Sequence, residues 1–220
     1  MAFALTPERE HQVDEILTRY PERPAALLPV LWLCQRQNGW ISPEVVEYVA
    51  ERLQLSTATI KGVVTFYTMF FDEPVGENVV WVCRTLSCDL RGGKAIQDHL
   101  EGRLGCTAGH TSSDGKFTLL KAECLAACGQ APMVQINDYY YENLNVEQLD
   151  RILDAHVTQG GEAAAAEFST FATFGAPSGS NGRSVTSAPP PPTKEAVRLA
   201  SQPPPPSEPT PSTEKTGEES

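Results

Sequence analysis

Two cysteine pairs constrain this chain more than any other feature. They are Cys83-Arg-Thr-Leu-Ser-Cys88 and Cys124-Leu-Ala-Ala-Cys128, with 35 residues between them. Each pair is a short loop able to place two sulfurs on one centre. Four thiolates from two such loops make a closed, soft-ligand site suited to iron–sulfur or zinc. Disulfides are disfavoured, because the N-terminus has no basic segment followed by an apolar run and no signal peptide is expected. Inert buried cysteines would not need paired spacing. A dithiol oxidoreductase is disfavoured too, since neither pair has the two-residue gap of a C-x-x-C motif. Spacing alone leaves iron–sulfur and zinc level.

Charge and hydropathy remove other classes. A net charge of −11 over 220 residues argues against non-specific binding to phosphate backbones, so no nucleic-acid partner is expected. No apolar run approaches the roughly 20 residues that span a bilayer. The longest, around Ala25 to Cys34, is interrupted by Pro29. The reading is a soluble protein of a reducing cytosol, associated with membrane only through a partner. Composition changes near residue 158: 11 of the 18 prolines lie beyond it, and no Cys, Trp or Tyr does. The globular part is therefore expected over 1–158, with 159–220 a Pro/Ala/Ser-rich tail, mostly disordered. Within that tail, Glu162 to Phe174 carries an Ala run and three Phe that could make a docking helix, and disorder is expected from about residue 176.

Along the chain, Thr6-Pro-Glu-Arg-Glu starts a helix with cap, proline and acids in order. Val13, Ile16, Leu17 and Tyr20 are its apolar face. A second helix is expected from about Ala25 to Gln37, stopped by Gly39. Ser42-Pro-Glu-Val opens a third, to Leu53, and Ser56 caps a short fourth through Val63. The aromatic run from Val64 to Phe71 reads as core, or as packing between two subdomains. Residues 1–72 are thus a helical subdomain. From 73 the period changes to that of strands: 78–83, ending on Cys83; a helix opened by Gly92-Gly93, to about Leu100; a strand 116–121 delivering Cys124; a hairpin of 133–136 and 139–141; and a helix capped by Asn145. Strand, helix, strands and helix predict a small α/β domain with one mixed sheet over 73–158. Cys34 reads as a core residue and Cys106 as part of a surface connection, neither a ligand. The four histidines show no metal-ligand spacing.

Leu28-Pro-Val-Leu, Gln37-Asn-Gly-Trp-Ile-Ser42, Gly62-Val-Val-Thr-Phe-Tyr-Thr-Met-Phe70, the first cysteine pair, Asp114-Gly, Glu123-Cys-Leu-Ala-Ala-Cys128 and Ala131-Pro-Met-Val-Gln-Ile136 occur in this order. With these residues the chain resembles the family of 24 kDa subunits of NADH:quinone oxidoreductase, respiratory complex I, over about residues 8–155. The resemblance implies an α/β (α+β) chain: an N-terminal helical bundle followed by a thioredoxin-like domain. It implies one [2Fe–2S] cluster on Cys83, Cys88, Cys124 and Cys128, with no catalytic residue of the chain's own, and so favours iron–sulfur over zinc. The implied partners are the flavin- and NADH-binding subunit and other peripheral-arm subunits, at the inner, cytoplasmic face of the membrane. Equivalent subunits of NAD-linked formate dehydrogenases or hydrogenases are the alternative, and a zinc-stabilised adaptor is the alternative of another class. NADH binding by this chain is not expected, as it lacks a Gly-rich dinucleotide fingerprint. Glu123 and Asp89, each beside a ligand, would favour the oxidised cluster if close to it. Residue 126 is Ala where many relatives have Gly, and both Ala126 and Ala127 are expected at negative φ.

Overall fold

The computed structural model describes residues 3–172. The helical part holds α1 (Pro7–Arg19), α2 (Leu27–Asn38), α3 (Pro43–Leu53) and α4 (Thr57–Phe66). Its helix starts follow from the residues that precede them. Thr6, Ser42 and Ser56 have extended backbones, and their hydroxyls accept from the N–H three residues on. α2 begins two residues later than expected because Pro24 opens a 3₁₀ turn, Arg23–Ala26, ahead of it. Gly39 ends α2 at φ 84, where a Cβ would be strained. Tyr20 does not join the apolar face of α1: it caps the helix in an extended conformation and is exposed. Val13, Leu31, Val45, Val49, Leu53 and Ile60 are fully or almost fully buried in one cluster that includes Cys34 and ends at Phe70. Gln35 ties the aromatic stretch down, donating to Met69 O at 2.9 Å and accepting from Phe71 N at 2.8 Å.

The sheet part is mixed α/β, as expected. Its elements are β1 (Asn78–Cys83), α5 (Leu86–Leu90), α6 (Gly93–Leu104), β2 (His110–Thr111), β3 (Phe117–Ala122), β4 (Val134–Ile136), β5 (Tyr139–Tyr141), α7 (Val146–Thr158), α8 (Gly161–Phe168) and β6 (Phe171–Ala172). The strand order is β2-β3-β1-β4-β5-β6. β1 and β3 are parallel from Asn78↔Phe117 to Cys83↔Ala122, while β1–β4, β4–β5 and β5–β6 are antiparallel. Parallel neighbours need a long crossover, and α6 supplies it. Val80, Val82, Leu100, Leu119, Ile136, Tyr141, Leu149 and Leu153 fill the core between sheet and helices. This cluster and that of the helical part have no residue in common. Phe71, stacked on Trp81 with centroids 6.5 Å apart, and Arg36, paired with Asp138 at 3.0 Å, tie the two parts together. The aromatic stretch therefore divides: Phe70 is core, Phe71 packs between the parts, and Phe66 is exposed.

The described fold continues past residue 158, through the segment whose Ala run suggested a docking helix. Ala run 163–166 is strongly helix-forming, and Ala164 and Ala165 are fully buried. Small side chains let this helix lie close against its neighbours. After it Thr170 N donates to Tyr140 O at 2.9 Å, and β6 adds to the sheet edge. The tail from residue 173 onward lies outside the described residues.

One buried polar network was not apparent from the sequence. His156, on α7, is 3% exposed. Its Nδ1 lies 2.9 Å from Asn78 Oδ1, and its Nε2 lies 2.9 Å from Tyr141 OH. An amide oxygen only accepts, so this arrangement assigns the proton to Nδ1 and makes the tyrosine hydroxyl the donor to Nε2. Both ring nitrogens are satisfied with the ring neutral, and burial pushes its pKa down to about 4. In the unfolded chain the same ring titrates near 6.5. Between these values the unfolded state binds more protons, so this contribution is complete above pH 6.5 and is lost as pH falls towards 4. Urea titrations at pH 7 and pH 5 should show the wild type losing about 2 kcal/mol more than His156→Gln over that interval. Equal losses in the two proteins would contradict a buried neutral histidine.

Candidate metal centre

The parallel register determines where the thiols stand. Cys83 ends β1 opposite Ala122, the last residue of β3. Both chains thus leave the sheet at the same end, and Arg84 N extends the ladder by one bond to Ala122 O at 3.1 Å. Beyond β1 the chain turns into α5, a five-residue helix not expected from the sequence, which carries Cys88. Beyond β3 it turns through Cys124 into a 3₁₀ turn that begins at Cys128. Cys83 and Cys88 are each 2% exposed, whereas Cys124 and Cys128 are exposed. A small apolar cluster of Cys83, Cys88, Ala131 and Met133 lies beneath, with Leu125, Ala127 and Tyr140 packed against it. Leu125 and Ala127 therefore anchor the second loop over the first.

Backbone N–H groups point at the sulfurs. Cys83 receives them from Thr85 and Leu125, Cys88 from Met133, and Cys124 from Ala126 at 3.3 Å. Burial is the largest influence on Cys83 and acts to raise its pKa. The N–H groups of Thr85 and Leu125, with the Cys88 thiol and the Thr85 hydroxyl, outweigh it, and the net shift is downward. Burial, then the hydrogen bond and charge of Cys83, push Cys88 up to about 11. Tyr140 is also held above its usual range, by burial and then by the charges of Cys124 and Cys83.

Cys34 and Cys106 stay apart from these four. Burial in the helical core holds Cys34 at about 12, making it unreactive. Cys106 is half-buried against the sheet core, more enclosed than the surface connection expected of it. None of the histidines joins the site. Among the described residues, no group of three or more His, Cys, Asp or Glu side chains is drawn together closely enough to hold a metal ion. Cys83 and Cys88 are hydrogen-bonded to each other and buried, while Cys124 and Cys128 are exposed on the second loop. The donor set nonetheless fits an iron–sulfur group: four sulfurs from loops packed together, with N–H donors directed at three of them.

Two features of the site are not foreshadowed in the sequence. The first is the conformation of Ala126, expected at negative φ and found at φ 59. Ala127, at φ −111, is as expected. Reversing the chain at Ala126 aims its N–H back at Cys124 Sγ while Leu125 and Ala127 face the cluster beneath. Left-handed geometry costs an Ala roughly 1–2 kcal/mol, so the loop is strained there, and Gly at this position would relieve that strain. The second is a pair of links between the loops: Arg84 with the Glu123 carboxylate, and the Thr85 hydroxyl donating to Glu123 O. Continuing the register from Cys83↔Ala122 brings 84 opposite 123, so knowledge of the parallel pairing would have revealed them. Glu123 and Asp89 are both exposed. Beside the site a groove of about 840 Å³ runs between the two parts of the fold, lined in part by Trp32, Phe71, Trp81, Lys121 and Cys124.

Residues 13–156 match the family described as thioredoxin-like [2Fe-2S] ferredoxin. The chain is 44% identical over 155 residues to the NADH-quinone oxidoreductase subunit designated E in Rickettsia bellii, covering 69% of this chain and 93% of that protein. It is also 44% identical over 155 residues to the mitochondrial NADH dehydrogenase [ubiquinone] flavoprotein 2 of Dictyostelium discoideum, covering 69% and 63%. Among solved structures, an NAD+-reducing [NiFe]-hydrogenase in the air-oxidized state aligns with TM-score 0.54 at 19% identity, over 60% of this chain. The chain spans only 23% of that hydrogenase chain, and the likeness concerns fold alone.

The strain at Ala126 is open to measurement on the metal-free chain. Ala126→Gly should stabilise it against urea by about 0.5–1 kcal/mol, the relieved strain less the added freedom of the unfolded chain. Destabilisation by the same substitution would show that the loop is not strained at this residue.

Proposed function

This chain belongs to the thioredoxin-like [2Fe–2S] ferredoxin family, and on that premise we propose that Cys83, Cys88, Cys124 and Cys128 hold one [2Fe–2S] cluster. The chain works as the 24 kDa electron-transfer subunit of an NADH-quinone oxidoreductase. The observation that carries the ligand assignment is the parallel register Cys83↔Ala122, which brings both cysteine pairs to one end of the sheet. The relatives at 44% identity favour the quinone-linked enzyme, since the hydrogenase likeness at 19% concerns fold alone.

When bound, the cluster supplies one-electron storage and release. The chain's own residues do the rest. Cys83 and Cys88, buried over Ala131 and Met133, form a dry inner wall. The N–H groups of Thr85, Leu125, Ala126 and Met133 stabilise negative charge on sulfur without bringing in water. Cys124 and Cys128, on the outer side, leave the shortest path between the site and a docked partner. Two-electron hydride chemistry belongs to that partner, the flavin- and NADH-binding subunit, from which this chain takes or stores single electrons. Among the described residues no helix is long and apolar enough to cross a membrane. The proposed place of this subunit is the peripheral arm at the cytoplasmic, inner face.

The test is reduction of the purified, cluster-loaded chain, followed by its visible absorption. NADH alone should leave the spectrum unchanged over minutes, and addition of the flavin-bearing subunit should bleach it. Rapid bleaching by NADH without that subunit would contradict the division of labour.

A further inference from the structure

The two thiol loops are joined by a charged pair that has no part in ligation. Arg84 follows Cys83, Glu123 precedes Cys124, and the guanidinium Nη2 is bonded to carboxylate Oε1. The pairing is built in by the sheet. Register brings 84 opposite 123, Arg84 N is held on Ala122 O at 3.1 Å, and Thr85 donates its hydroxyl to Glu123 O. Both backbones are fixed within reach of each other.

Stability is not the main consequence of this pair. The Arg84 and Glu123 side chains are 54% and 81% exposed, and ion pairs so exposed contribute little to folding. Charge balance is another matter. A cluster held on the four cysteines would gain a negative charge on taking up one electron, and a carboxylate one residue from Cys124 would oppose it. A guanidinium fixed on that carboxylate cancels the opposition. Asp89, one residue from Cys88, is exposed and among the described residues meets a cation only through the charge of Lys94, without a bonded partner of the Arg84 kind.

We propose that Arg84 is a charge-compensating, positioning residue whose ion pair with Glu123 sets how readily the site accepts an electron. This rests on the electron-transfer reading and adds to it a residue that neither ligates nor reacts. Arg84→Gln leaves Glu123 unopposed and makes the site harder to reduce. Glu123→Gln leaves Arg84 unopposed and makes it easier. The double variant restores the balance, and added salt shrinks both single shifts because the groups are exposed.

The experiment is a spectroscopic redox titration of the cluster-loaded full-length chain, at low and high salt, with thermal melts of the metal-free proteins alongside. Arg84→Gln should shift the midpoint downward, Glu123→Gln upward, and the double variant and Arg84→Lys should lie near wild type. All melts should coincide within error. If Arg84→Gln fails to take up a cluster, Glu123→Gln decides alone, by an upward shift. An unmoved midpoint in both single variants, or shifts of the same sign, would overturn the proposal and leave the electron-transfer reading standing. A wild-type chain that takes up no [2Fe–2S] cluster would overturn both.

Discussion

The parallel pairing of β1 with β3 is the constraint on which the site depends. Each strand has six residues, about 20 Å from end to end. Were the two antiparallel, Cys83 and Cys124 would lie near opposite ends of the sheet, too far apart to share a cluster. Parallel pairing puts both exits together, and its cost is the long crossover through α6. That helix sits tightly over the first loop. A Cβ at Gly93 would stand 2.8 Å from Cys88 O, so the helix that permits the pairing also packs the loop carrying Cys88.

Once the exits are together, the two cysteine pairs diverge in environment. The first is recessed on Ala131 and Met133, while the second rides outward on a loop pinned by Leu125 and Ala127. A redox centre needs both: shielding from water on one side, and an approach for its electron partner on the other. The left-handed turn at Ala126 is how the outer loop meets the two demands within five residues. Strain at one alanine is offset by an N–H directed at Cys124 Sγ and by two apolar side chains turned inward. Such local cost at a functional loop is a common pattern where surrounding packing over-determines the backbone.

Most of the fold was legible because its signals are local. Thr6, Ser42 and Asn145 cap their helices as their side chains indicate, and Asn145 completes a capping box with Gln148. The strands and hairpin follow from β-rich runs between turn residues, and the cysteine spacing singled out the four thiols. What stayed hidden is non-local or very short. His156 stands at helical spacing from Leu149, Ile152 and Leu153, on the apolar face, but its partners Asn78 and Tyr141 are distant in sequence and could not be read from it. Helix α8 was legible in part: the Ala run suggested a docking helix, but the proline-rich composition placed it in the tail, and the burial of Ala164 and Ala165 did not show. Helix α5 is too short for periodicity to show. The φ of Ala126 is imposed by what lies beneath the loop, and no propensity of its own residues reveals it.

The central claim is that Cys83, Cys88, Cys124 and Cys128 together hold one cluster at the shared end of β1 and β3. Anomalous scattering measured at the iron absorption edge, on crystals of the cluster-loaded chain, tests it most directly. The account expects two adjacent iron peaks, bonded to the sulfurs of all four cysteines and to none other. Peaks at Cys34 or Cys106, a single metal with no partner, or a signal only at the zinc edge would contradict it.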